Sequence, residues 1–195
     1  MINYNTIHSG PLLFQTKLSE NDVKNVFKLC KKDKSLDGRH KLVGLIDDEY
    51  YIKDLNKLVE ILNPYLECFK DAHKRWYNCD CRLKLQTAWV NYMKAGDSNP
   101  NHIHTGCNFS SVLFLKIPKG LEKERQQTVA NQGAKPGFLS FFINSITPGY
   151  ISSYEYNPKV GDFFIFPGNL THCVYSFKSK GERISVACNF VYENI

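Results

Sequence analysis

Gly161-Asp162-Phe163-Phe164-Ile165-Phe166-Pro167-Gly168-Asn169-Leu170-Thr171-His172 is the stretch that decides how the chain folds. Its apolar run, Phe163 to Phe166, is short, aromatic and bounded by turn residues, which is the pattern of a buried strand. Pro167-Gly168 then reverses the chain, and a returning strand begins at His172. The same pattern spreads outward from here. Segments 82–94, 109–117, 137–143, 152–157, 172–177 and 183–192 are all short, aromatic or β-branched, and separated by Gly, Pro and Asn. Evenly spaced strands of this kind make an all-β sandwich or barrel.

The first third of the chain has a different period. Ser19, with Asp22 three residues on, opens a helix whose Val23, Val26, Phe27 and Cys30 share one face. Lys28, Lys31, Lys32 and Lys34 then form its solvated side. A second helix begins near Asp54 and carries Leu55, Leu58, Val59, Leu62, Leu66, Phe69 and His73 on one stripe, with Pro64 placed to kink or interrupt it. His73 on that stripe reads as a packed helix residue. Helices first and strands afterwards give an α+β fold, with the helices against one face of a mostly antiparallel β unit. The expected organisation is one domain over 1–195, with 1–78 as helical support and 79–195 as a jelly-roll core. Segment 119–136, rich in Lys, Gln and Gly, is the candidate lid.

Composition narrows the function classes. In 195 residues, 43% are hydrophobic and 23% charged, which excludes a disordered or fibrous chain. No apolar run approaches the roughly 20 residues that span a bilayer, and the N-terminus lacks the basic-then-apolar order of an export signal, so the expected location is the cytoplasm, or a host cytoplasm if the chain is phage-encoded. Seven scattered cysteines, an odd number, read as reduced thiols. Cys79-x-Cys81 is too tight for the usual zinc knuckle and has no second pair. Net charge is +6, with both signs interleaved, and no nucleic-acid motif is present.

The chemistry is concentrated in the β region. His102 and His104 flank Ile103 and project to one side of an extended chain, because strand side chains alternate. The strand beginning at His172 can lie beside them in a jelly roll, so that three imidazoles converge near a barrel mouth. Read alone, the H-x-H pair also fits surface-turn histidines. Further on, Arg183-Ile184-Ser185-Val186-Ala187-Cys188-Asn189-Phe190 places Arg183, Ser185 and Asn189 on one face and Ile184, Val186, Cys188 and Phe190 on the other. An inward guanidinium needs an anion and grips a carboxylate at two points. On a solvent face the same Arg183 would pair with Glu182 or Glu193.

Taken in order, these motifs resemble the 2-oxoglutarate and Fe(II)-dependent oxygenases, specifically a phage and bacterial branch related to prolyl hydroxylases. The resemblance runs from Ala88 to Phe190. It is carried by Trp89-Val90-Asn91-Tyr92-Met93, Gly96-Asp97, His102-Ile103-His104, Ser110-Ser111-Val112, Gly161 to Pro167, His172 and Arg183-Ile184-Ser185 through Asn189-Phe190. It implies a double-stranded β-helix, a cupin-like jelly-roll barrel with N-terminal supporting helices. It also implies Fe(II), 2-oxoglutarate and O2 as cofactor and co-substrates, with ascorbate as a candidate reductant. His102 and His172 would bind iron. Arg183 and Ser185 would hold the distal carboxylate of 2-oxoglutarate, with Asn91 and Asn189 beside it. The implied outcome is hydroxylation of a C–H bond in a peptide side chain, proline among them, or in a small molecule.

Two departures stand out. His104 occupies the position where most of the superfamily has Asp or Glu, giving a three-histidine set that still leaves open coordination positions. Ser111-Val112-Leu113-Phe114 also lacks the tyrosine pair that relatives often show. Three other readings fit parts of the pattern. A cupin-like metalloprotein usually has a Glu shortly after H-x-H, where this chain reads Thr105 to Phe109. A three-histidine zinc hydrolase would leave Arg183 and Ser185 without a task. A non-enzymatic β-sandwich binding module would have no use for three histidines.

Overall fold

Two amphipathic helices lie in the first 78 residues, and each begins just after the residue whose side chain caps it. The computed structural model describes residues 10–128, 135–143 and 152–193. Helix α1 (Glu20–Leu29) starts where Ser19 Oγ accepts the Asp22 N–H at 3.1 Å and donates to the Asp22 carboxylate at 2.7 Å. Tyr65 Oη donates to the same carboxylate at 2.6 Å and accepts from the Ser19 N–H, tying α1 to its neighbour. Ser19→Ala is therefore expected to cost about 1 kcal/mol of stability in urea unfolding. Helix α2 (Leu55–Tyr77) is capped by Asp54, which accepts the Lys57 N–H at 2.9 Å, and stops at Asn78 in the left-handed conformation with φ 54°. The helix runs through Pro64 without interruption. Pro64 and Glu60 are both exposed, so the carbonyl that loses its partner faces water.

Leu58, Leu62, Leu66, Phe69 and His73 form the buried stripe of α2. His73 is the packed histidine expected: its ring nitrogens lie 3.2 Å from the Cys79 carbonyl oxygen and 3.0 Å from Tyr192 Oη. Phe27, placed on the buried face of α1 by its period, is 41% exposed. Lys32, expected on the solvated side, bridges Asp48 and Glu182, both at 2.9 Å.

The described residues hold ten strands: β1 (Phe14–Lys17), β2 (Glu49–Tyr51), β3 (Leu83–Met93), β4 (Asn99–His102), β5 (Phe109–Lys116), β6 (Leu139–Phe142), β7 (Ser153–Tyr156), β8 (Asp162–Pro167), β9 (His172–Val174) and β10 (Arg183–Tyr192). They form a six-stranded sheet in the order β1-β8-β5-β10-β3-β2 and a four-stranded sheet in the order β4-β9-β6-β7, with antiparallel pairing throughout. From β3 to β10 the chain passes back and forth between the sheets, which makes a double-stranded β-helix. The segment 1–78 is not helical alone. It also supplies β1 and β2 to the two edges of the larger sheet.

Side-chain alternation divides the larger sheet between two cores. Ala88, Val90 and Tyr92 of β3, Leu113 of β5, Phe163 and Ile165 of β8, and Ile184, Val186, Cys188 and Phe190 of β10 pack with α1 and α2. Val112 and Phe114 of β5, and Phe164 and Phe166 of β8, point the other way, into the barrel with Phe141. A short helix, α3 (Leu121–Gln127), is seated through Leu121 and Arg125, both buried. Glu124 accepts the backbone N–H groups of Lys178 and Ser179 at 2.8 and 2.7 Å. This part of the expected lid is therefore anchored; residues 129–134 of it lie outside the described residues.

Candidate functional site

Between the sheets lies a cavity of about 230 Å³ whose walls differ in chemistry. One wall is apolar, with Val112, Leu139, Phe166 and Val174. The other is polar and is built by alternate residues of three neighbouring strands: Glu49 and Tyr51 of β2, Thr87, Trp89 and Asn91 of β3, and Arg183, Ser185 and Asn189 of β10. Cross-strand register aligns Glu49 with Asn91 and Asn91 with Ser185 in one row, and Tyr51, Trp89 and Ala187 in the next.

His102 ends β4 and His172 begins β9, and these two residues are direct partners in the antiparallel pair. His104 follows just beyond the strand, held by its N–H to the Gly168 carbonyl at 2.8 Å. Gly168 is needed at that crossing, since a Cβ there would lie 2.8 Å from the Cys107 carbonyl oxygen. The Pro-Gly turn thus lets the loop approach the H-x-H segment closely. One donor nitrogen from each of the three histidines falls within 4.8 Å of the others. His104 Nε2 and His172 Nε2 are 3.2 Å apart. Two nitrogens about 2.1 Å from one ion, at octahedral to tetrahedral angles, lie roughly 3.0 to 3.4 Å from each other, so this spacing fits a shared metal.

Backbone carbonyls orient the rings. His102 Nδ1 lies 2.7 Å from the Pro100 oxygen, and His172 Nδ1 lies 2.8 Å from the Leu170 oxygen. In each, Nδ1–H donates and Nε2 keeps a free lone pair. Burial pushes His172 down to about 3 and His104 to about 4, and also lowers His102. All three are therefore neutral near pH 7, the form that ligates. Asp97 is not part of this cluster. Its carboxylate accepts the Lys94 N–H in a surface turn.

At the far end of the polar wall, Arg183 is 1% exposed and, among the described residues, meets no carboxylate. Its Nη1 lies 3.3 Å from Met93 Sδ and 3.4 Å from Ser185 Oγ, and its guanidinium stacks 4.8 Å over Phe114. Among the described residues, Nε and Nη2 have no partner. Burial first, and the Arg125 guanidinium second, pull it down to about 9. A cation so placed costs several kcal/mol unless an anion joins it. The solvent-face reading of Arg183 does not apply, because Glu182 is engaged by Lys32 and Lys116 instead. Asn91 and Asn189 stand on the same wall, each with a buried, unpartnered Oδ1. Their amides can offer N–H or C=O by rotating.

Sequence reading missed Glu49 and Tyr51, since β2 is only three residues long. Tyr51 restores to the cavity a phenol absent from β5. Glu49 is 1% exposed and, among the described residues, its Oε2 has no partner. Burial raises its pKa to about 7, Asp97 and Asp37 add to the rise, and Arg39 opposes it. The folded value lies above the unfolded one, so this group costs nothing below pH 4.5 and costs progressively more stability as pH climbs through 7. Glu49→Gln is expected to melt with the wild type at pH 4 and above it at pH 8, by up to about 3 kcal/mol. The three histidines, Arg183, Ser185, Asn91 and Asn189 all border the one cavity. The exposed lining residues are Lys41, Val43, Ile103 and Thr105, and α3 contributes none of the lining.

A family model described as "Putative 2OG-Fe(II) oxygenase" matches residues 87–189. Solved structures share the fold at low identity. A Pseudomonas putida prolyl-4-hydroxylase is 15% identical with a TM-score of 0.56, covering 93% of each chain. A viral collagen prolyl hydroxylase from Paramecium Bursaria Chlorella virus-1, in complex with 2OG, is 13% identical with a TM-score of 0.57, covering 91% of this chain and 94% of its own. A prolyl hydroxylase from Trichoplax adhaerens, in complex with a peptide fragment of hypoxia inducible factor, is 12% identical with a TM-score of 0.56, covering 93% and 83%. No curated protein sequence matches.

Proposed function

Because this chain belongs to the 2OG-Fe(II) oxygenase family, using Fe(II), 2-oxoglutarate and O2, we propose that His102, His104 and His172 hold the iron and that Arg183 and Ser185 hold the distal carboxylate of 2-oxoglutarate. The observation that carries this assignment is the buried, unpaired guanidinium of Arg183 in the same cavity as three neutral imidazoles. The donor set fits the metal by its spacing, and the orphaned nitrogens fit a two-point carboxylate. When bound, iron and the keto acid supply oxidative decarboxylation coupled to oxidation of a substrate C–H bond.

The residues of the chain then have separable tasks. Pro100 and Leu170 carbonyls fix two imidazole tautomers so that lone pairs face one point. Arg183 and Ser185 set the depth at which the keto acid sits, and Asn91 and Asn189 offer amides alongside it. Val112, Leu139 and Phe166 keep water from the opposite wall. The substrate enters past Val43 and Ile103, and a peptide side chain or small molecule suits that opening. Proline is the peptide target that analogy of fold alone suggests. The cytoplasm is the proposed setting, supported by seven free cysteines, and among the described residues no helix is long and apolar enough to cross a membrane.

Anaerobic titration with Fe(II) and then 2-oxoglutarate is expected to produce the weak visible charge-transfer band of a chelated keto acid. With air admitted, succinate should form slowly alone and faster with substrate. Iron-loaded protein that gives neither band nor succinate would overturn the assignment.

A further inference from the structure

The polar wall contains more oxygen acceptors than iron and 2-oxoglutarate can use. Glu49 faces the cavity from β2, in register with Asn91, and its carboxylate is folded under the loop that contains Gly44. A Cβ at Gly44 would lie 2.5 Å from Glu49 Oε1 and 2.9 Å from Asn99 Oδ1, so these two oxygens crowd the same spot. Glu49 Oε2 and Asn91 Oδ1 are buried and, among the described residues, without a partner. No described Lys or Arg forms an ion pair with this carboxylate. The charged groups nearest in effect, Asp97, Asp37 and Arg39, act from the surface.

This chemistry points to one kind of ligand. Both carboxylates of 2-oxoglutarate are already answered, one by Arg183 and one by the metal. An anionic substrate would be repelled by Glu49, and a purely apolar one would leave a carboxylate buried without a donor. An ammonium or guanidinium group carries several N–H donors and a positive charge, and the clustered oxygens accept them. The way in is partly apolar: Val43 and Ile103, 48% and 44% exposed, stand at the rim beside the exposed Lys41 and Thr105, and Trp89 lines the cavity behind them. Such a path suits an aliphatic stem with a cationic end.

We propose that Glu49, with Asn91 and Asn99, forms a subsite for an organic cation on an aliphatic stem, so that the oxygenase acts on a lysine-like or arginine-like substrate. This rests on the oxygenase reading and names its substrate class. Lys41 at the mouth is exposed, and a free α-carboxylate would meet it there.

The test uses the full chain loaded anaerobically with Fe(II) and 2-oxoglutarate. The probes are Nα-acetyl-lysine amide against its neutral 6-hydroxynorleucine isostere, and Nα-acetyl-arginine amide against the citrulline isostere, with binding followed by calorimetry. Free lysine and free arginine form a second arm that separates an amino-acid substrate from a peptide side chain. At least one cationic probe should bind roughly tenfold or more tightly than its isostere. Glu49→Gln should abolish that preference while keeping the 2-oxoglutarate charge-transfer band. Equal binding of cation and isostere, absence of binding by any cationic probe, or an undiminished preference in Glu49→Gln would overturn the proposal. Loss of the charge-transfer band from the wild type would instead count against the oxygenase site itself.

Discussion

Arg183→Ala is expected to weaken 2-oxoglutarate binding by on the order of 2 to 5 kcal/mol, because it removes a buried, charge-assisted, two-point contact. Iron binding should hardly change, since the guanidinium is not among the metal-facing groups. Arg183→Lys should recover part of the loss, keeping the charge but not the fork. Ser185→Ala should cost about 1 kcal/mol, the value of one neutral hydrogen bond. A second measurement guards against misfolding. Saturating 2-oxoglutarate should raise the melting temperature of the wild type and leave that of Arg183→Ala nearly unmoved, since stabilisation follows the ratio of ligand concentration to Kd. Equal affinity in both proteins, measured by calorimetry on iron-loaded samples, would remove the carboxylate from this end of the cavity.

His172→Ala should reduce iron affinity by more than about a hundredfold, exceeding what loss of an outer hydrogen-bond partner does to a metal site. His172 is the most enclosed of the three. Its ring centroid lies 4.2 Å from that of His102 and 5.1 Å from that of His104, and it also packs 4.7 Å from Phe166. Because that packing is lost as well, apo variants must be compared by thermal unfolding before metal titration. His104 offers a sharper comparison. His104→Ala should lose iron, whereas His104→Asp restores the carboxylate commoner in this superfamily and should retain it. If His104→Ala bound iron as well as the wild type, the third ligand would have to come from elsewhere.

Much of this site was legible in the sequence. Period-two alternation in β10 separated Arg183, Ser185 and Asn189 from Ile184, Val186, Cys188 and Phe190, and the sheet sends the two sets to opposite cores. The H-x-H pair and the histidine after the Pro-Gly turn meet because β4 and β9 pair at His102 and His172. What escaped has physical reasons. The strand β4 reads Asn-Pro-Asn-His, residues of low strand preference whose extended form is imposed by the neighbour. The strands β1 and β2 are four and three residues long, too short for a period to show. Glu49 looks like any solvated carboxylate until the fold closes over it.

The two-sided commitment of β10 makes that strand a molecular ruler. It lies between β3 and β5 in the larger sheet, with every odd residue from Arg183 to Asn189 lining the cavity and every even one facing the α1–α2 layer. Deleting or adding one residue near its start would drive the guanidinium into a hydrocarbon core and present isoleucine and valine to the cavity. Such an indel would therefore abolish folding and catalysis together, whereas a side-chain exchange on the odd positions can separate the two. Insertional scanning across 183–190 should consequently yield no stable but inactive clones, while point substitution at Arg183 or Ser185 should yield them.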